Sequence, residues 1–248
     1  DDDNDGYVDD IHGWNIYGNN ADLSDTTGHG TQIAGVIAAA ANNGAGGAGV
    51  CWGCRLMIVK VTQPGGAANY SDIAAGIAYA AAKGAEVINL SLGGASDSAT
   101  LRAAVAAASQ TAVVVGGAGN DNASAPFYPA AYDDALAVAG TDASDIKTAT
   151  SNYGAWVDVT APGEAITTTL SGGGYGAASG TSVAAPFASG LAGLLRSQHP
   201  DWSAALVRAQ ITHTAVSVDG ANPGRVGQLG SGRIDAAGEA YASALAVL

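Results

Sequence analysis

The sequence predicts an α/β fold in three layers, a mostly parallel central sheet with helices on both faces. Two observations carry this. The first is a recurring order along the chain of apolar strand, loop and small-residue helix, which is the signature of βαβ units and of a sheet covered on both sides. The second is composition. The 248 residues are 48% hydrophobic, much of it Ala, with 36 Gly. That is enough for one sizeable core, and small residues suit close packing of helices on a sheet. Residues 1–248 therefore read as a single domain.

The elements follow in order. "RLMIVKV" (Arg55 to Val61) reads as a buried strand. "SDIAAGIAYAAAKG" reads as a helix with Ser71 as N-cap and Gly84 as its C-terminal stop. "EVINLSL" (Glu86 to Leu92) is a strand and "SATLRAAVAAASQ" (Ser98 to Gln110) a helix. "TAVVVGGAG" (Thr111 to Gly119), "ALAVAGT" (Ala135 to Thr141) and "WVDVTAPG" (Trp156 to Gly163) are further strands. In such sheets, sites form at the carboxyl ends of strands.

Charge narrows the function classes. The formal charge is −13 with only 9 Lys and Arg, so nucleic acid or an anionic membrane surface is an unsuitable partner. The Ala-rich runs are broken by Gly, Asn and charges before they reach a membrane-spanning length. The acidity fits an exported protein, a cation binder or a salt-adapted one. Cys51 and Cys54 in "CWGC" fit either a short-range disulfide or two small buried thiols. No further Cys or His stands near for zinc.

Three motifs carry chemistry. In "SGTSVAAP", Ser182 opens an apolar helix, where backbone N–H groups and the helix dipole favour developing negative charge. On its own it would be an N-cap. In "TGHGTQIAGVIAAAA", glycines flank His29 and leave both ring nitrogens reachable; alone it would be a loop histidine. In "VVVGGAGNDN", Asn120 follows a strand and a glycine-rich turn, where its amide can donate to an oxyanion; alone it would be a turn residue. His12, His199 and His213 have no comparable setting.

Taken in order, "GHGT", "NLSLGG", "AGN" and "GTS" with "AAP" resemble the subtilisin-like serine proteases, the subtilases, over nearly the whole chain from Asp1 to about Ala237. The resemblance implies a secreted endopeptidase with a subtilisin-like fold that acts on polypeptides through an acyl-enzyme. Ser182 would be the nucleophile, His29 the general base and then acid, and Asn120 an oxyanion donor beside the Ser182 N–H. Ser91, Leu92 and Gly93 would pair with an extended substrate. Gly117, Ala118 and Gly119 would wall the pocket for the side chain before the scissile bond, and small residues there leave room for a large apolar one. The other readings are an inactive protease-derived binding or structural module, and an acyl transferase.

The chain departs from the family pattern in one large respect. The family's catalytic aspartate ends its first buried strand, and no Asp before His29 follows an apolar strand; Asp25 matches a non-catalytic position. The expectation is that the strand and its aspartate lay before Asp1, on a separate N-terminal fragment or in an unrecorded segment. An imidazole lacking that carboxylate turns over about ten-thousandfold more slowly. Asp1, Asp3, Asp5 and Gly6 fit the first half of a calcium loop, with Asp9 or Asp10 closing the shell. A second candidate for calcium is the loop of Asn19, Asn20, Asp22 and Asp25. Gln32 stands where the family often has a second histidine, and Val183 where many members carry methionine.

Overall fold

The computed structural model describes residues 6–238. Its centre is a four-stranded parallel sheet in the order β3-β4-β5-β6, formed by Val87–Leu90, Val113–Gly117, Leu136–Thr141 and Val159–Pro162. A separate parallel ribbon pairs β1 (Gly13–Asn15) with β2 (Ile58–Lys60). An antiparallel hairpin, β7 (Ile166–Thr169) and β8 (Tyr175–Ala178), follows the sheet. Five helices accompany the strands: α1 (His29–Ala38), α2 (Tyr70–Ala82), α3 (Ala99–Ala108), α4 (Thr181–Gln198) and α5 (Ala204–Thr214).

Local chemistry sets the helix ends. Ser98 caps α3 by accepting from the Leu101 N–H, and Ser203 caps α5 by accepting from the Leu206 N–H. After α2, Gly84 turns into left-handed space at φ 80°. Ala85 N–H then reaches Ala80 O and Gly84 N–H reaches Ala81 O, which ends the helix in a Schellman motif.

The pleat sorts the core into two faces. Val87, Val113 and Val115 point into the cluster built on Ala184, Ala185, Ala188, Leu191 and Leu195 of α4. Ile88, Leu90 and Val114 point to the other side, against Ile73 and Ile77 of α2 and Leu101 and Val105 of α3. This alternation within single strands produces the three layers. Gly190 and Gly193 of α4 lie against Val50 and the sulfurs of Cys51 and Cys54, so the helix that carries Ser182 is also held from behind.

Several expectations change. "RLMIVKV" is a strand only over Ile58–Lys60 and is buried only at Val61; Leu56, Met57 and Ile58 are exposed. The physical reason is that β2 pairs with β1 alone among the described residues, although Val59 and Val61 pack under the same helix α2 as Ile88 and Leu90. Asn69, not Ser71, precedes α2 as its cap. Cys51 and Cys54 form a disulfide, which decides between the two readings of "CWGC". The β1 strand, the β7–β8 hairpin and α5 were not anticipated from the sequence.

Candidate active site

A cleft of about 230 Å³ opens at the carboxyl end of β3 and β4, lined by His29, Ser91, Leu92, Gly93, Gly117, Gly119, Asn120, Phe127, Thr181 and Ser182. Ser182 is the second residue of α4, not its cap: that place belongs to Gly180, whose φ of 129° suits glycine. The first-turn amides are unequally used. Thr181 N–H goes to Asn120 Oδ1 at 2.8 Å, and the Val183 and Ala184 amides go to Gly180 O. The Ser182 N–H makes no hydrogen bond among the described residues and is left for an anion at the helix start. Behind it, Ser91 Oγ donates to Ser182 O at 2.8 Å and receives the Asn89 side-chain amide at 2.9 Å. Asn89 Oδ1 in turn accepts from Ser189 of α4.

Asn120 is exposed at the tip of the turn after β4. Because its Oδ1 accepts from Thr181 N–H, its Nδ2 is the end turned free to donate. The amide rests against Gly180: a methyl group there would stand 3.3 Å from Oδ1 and 3.4 Å from Nδ2. The turn itself is bound by Asn152, which is buried. Its Oδ1 accepts from the Asp121 and Ala123 amides and its Nδ2 donates to Ala118 O, all at 2.9 Å. Its backbone N–H goes to Gly119 O, and Gly119 N–H reaches Thr181 Oγ1. Asn120 is thus bracketed on both sides by one buried amide. Asn89, Phe127, Asn152 and Thr181 were all missed as site residues. Phe127, one of two Phe in the chain, and Asn152, inside the "TSNYG" stretch, were the available signals.

His29 begins α1, whose cap position Gly28 has φ 80° and supplies no side chain. Asp25 does that work instead. Its Oδ2 accepts from Thr31 N–H at 2.8 Å and Thr31 Oγ1 at 2.7 Å, and its Oδ1 from Gly28 N–H at 2.8 Å and from Thr27 N–H and Oγ1. Burial pushes the Asp25 carboxyl up, but the Thr31 hydroxyl and the Thr31, Gly28 and Thr27 amides outweigh it and hold it at about 2. Partial desolvation by the cleft lowers the His29 imidazole, and the Asp25 charge raises it by less. Among the described residues, no carboxylate is hydrogen-bonded to the His29 ring.

The proposed pocket walls are unequal. Gly117 and Gly119 line the cleft, but Ala118 does not: it is fully buried among Ala139, Val157, Val218 and Leu229. Phe127 lines the same cleft, beside Gly93 and Gly119.

The metal assignments fare differently. Asp1, Asp3 and Asp5 lie outside the described residues. Asp10 does not fit a cation: its carboxylate pairs with the Lys83 ammonium at 2.8 Å and accepts from Tyr79 OH at 2.7 Å. Asp9 is exposed at φ 60°. The second loop does not fit either. Asp25 is saturated by protein donors, and Asn20 Oδ1 and Asp22 Oδ1 accept from the Asp22 and Ser24 amides. No cluster of three His, Cys, Asp or Glu able to hold a metal occurs among the described residues.

Comparison with known proteins agrees with this fold. The model of the Subtilase family (Peptidase S8) matches residues 1–232. Thermitase of Thermoactinomyces vulgaris is 43% identical over 211 residues, 85% of this chain and 75% of that protein. A thermophilic serine proteinase of Bacillus sp. strain AK1 is 46% identical over 189 residues, 76% of this chain and 47% of that protein. Among solved structures, a protease from Pseudoalteromonas arctica superimposes with a TM-score of 0.79 at 32% identity, covering 86% of this chain and 70% of that one.

Proposed function

The chain belongs to the subtilase family, and from that premise we propose that it forms the catalytic body of a secreted serine endopeptidase. Ser182 Oγ attacks the peptide carbonyl while His29 takes its proton and then passes it to the leaving amine. The oxyanion lies between Asn120 Nδ2 and the Ser182 N–H; loss of one such donor costs roughly a hundred- to a thousandfold in rate. The substrate backbone runs beside Ser91–Gly93. The observation that carries this reading is the single cleft bringing His29, Asn120 and Ser182 together from three elements, with the Ser182 N–H left without an acceptor.

The reading needs a carboxylate on the far nitrogen of His29. Asp25 cannot supply it, since its oxygens are taken. In this proposal it comes from a further strand that pairs with β2 and β3, which run under α2 without pairing with each other. Calcium enters only through Asp1, Asp3, Asp5 and Asp9; a chelator that leaves the melting temperature unchanged removes it.

A fluorophosphonate tests the whole. We expect labelling of the full-length protein at Ser182, abolished by Ser182→Ala. An unlabelled, folded protein favours the inactive binding module, for which the supporting observation is that no carboxylate among the described residues is hydrogen-bonded to the His29 ring. Intact mass of the active sample tests the added strand: a single species of these 248 residues that cleaves peptides refutes it.

A further inference from the structure

We propose that Phe127 restricts the cleft to peptides with a small side chain immediately before the scissile bond. The inference rests on the endopeptidase reading above and specifies its substrate class.

The ring bridges the two walls of the cleft. A methyl group built on Gly93 would stand 2.6 Å from Phe127 Cε1 and 3.1 Å from Cδ1. One built on Gly119 would stand 2.9 Å from both Cδ2 and Cγ. Opposite edges of one ring therefore lie beside Gly93 and Gly119, which belong to the two segments that line the cleft. The ring shares these positions with other close neighbours, since the same methyl groups would stand 2.3 Å from Tyr128 O and 2.4 Å from Asn152 Nδ2. The ring occupies the width between the Ser91–Gly93 and Gly117–Gly119 segments that would otherwise admit a large side chain.

The ring is held in place by its backbone. The next residue, Tyr128, exchanges two 2.8 Å hydrogen bonds with Gly94, immediately after the first wall, and Phe127 O accepts from Ala131 N–H at 2.9 Å. Phe127 is half-buried, and its open part faces the cleft. The whole cleft measures about 230 Å³, including the space beside Asn120 and between His29 and Ser182. Pockets for small-molecule ligands usually run from about 300 Å³ upward. An alanine methyl fits against the ring, whereas a phenylalanine or leucine side chain needs the volume the ring fills.

The test compares peptide p-nitroanilides of one sequence that differ only in Ala or Phe before the scissile bond, using full-length protein already shown to accept fluorophosphonate at Ser182. The wild type is expected to favour Ala over Phe in kcat/KM by about tenfold or more, the discrimination a few methylenes provide. Phe127→Ala should move that ratio toward Phe by about 10- to 100-fold, and Phe127→Leu by less. A wild type that prefers Phe, or a ratio unmoved in folded variants, overturns the inference while leaving the endopeptidase reading intact. Failure of Ser182 to label overturns that reading, and this inference with it. The wild-type ratio decides even where Phe127→Ala does not fold.

Discussion

Asp25→Asn isolates how the histidine is positioned. The carboxylate of Asp25 accepts five hydrogen bonds from Thr27, Gly28 and Thr31, replacing the side-chain cap that Gly28 cannot give α1. Its carboxyl sits at about 2 against 3.8 in an unstructured chain. That displacement sets a ceiling of about 2.5 kcal/mol. Solvent screening at a partly exposed group brings the working figure to about 1–2 kcal/mol, the size of a lost N-cap. Because the folded value is depressed, the stabilisation is fully present above pH 3.8 and is lost as pH falls through about 2. Guanidinium unfolding of inhibitor-blocked protein at neutral pH should therefore show the variant less stable by that amount, with the gap narrowing toward about pH 2. Since His29 is the first residue of α1, kcat should fall while KM holds. The lost Asp25 charge also moves the acid limb of the pH profile further down, because that charge raises His29. Superimposed unfolding curves at neutral pH, or a gap undiminished in acid, would refute the reasoning.

Asn152→Ala strips three hydrogen bonds from the turn that carries Asn120. It should destabilise by about 2–3 kcal/mol in chemical denaturation and lower kcat, and an unchanged kcat would separate Asn152 from Asn120. Met57, the only methionine, is 36% exposed just before β2 and outside the cleft, with Val183 beside Ser182. Peroxide should add one oxygen to Met57 by mass while activity persists; rapid inactivation contradicts this. Reducing the Cys51–Cys54 disulfide should lower stability by about 2 kcal/mol, the loop-entropy value for so short a loop, as read from the denaturation midpoint.

Legibility in the sequence followed the length scale of the interaction. β4, β5 and β6 were readable because each is buried on both faces, which forces a continuous apolar run. The ends of α2 and α3 were readable where a local rule governs, as at Gly84 and Ser98. Burial of "RLMIVKV" was misjudged because it depends on neighbours across the sheet, which a run of apolar letters does not encode. The same holds in the cleft. His29, Asn120 and Ser182 sit in local motifs, whereas Phe127, Asn152 and Asn89 act on residues far along the chain. Asp10 looked like a metal ligand because its partner Lys83 is remote in sequence.

The β7–β8 hairpin works as a yoke between the helices of His29 and Ser182. On one arm, the Thr168 and Thr169 hydroxyls donate to Gln32 O and Thr31 O at 2.6 and 2.7 Å, gripping the first turn of the histidine's helix. The other arm ends at Ala178, only four residues before Ser182, and Ser179 Oγ ties its base by accepting from Ala165 N–H. His29 and Ser182 are therefore tied to one small lever whose tip, Gly172 to Gly174, reaches open space. Lengthening that tip should be silent. A single threonine-to-valine change on its inner arm would let α1 and α4 drift out of register, although neither His29 nor Ser182 had been touched.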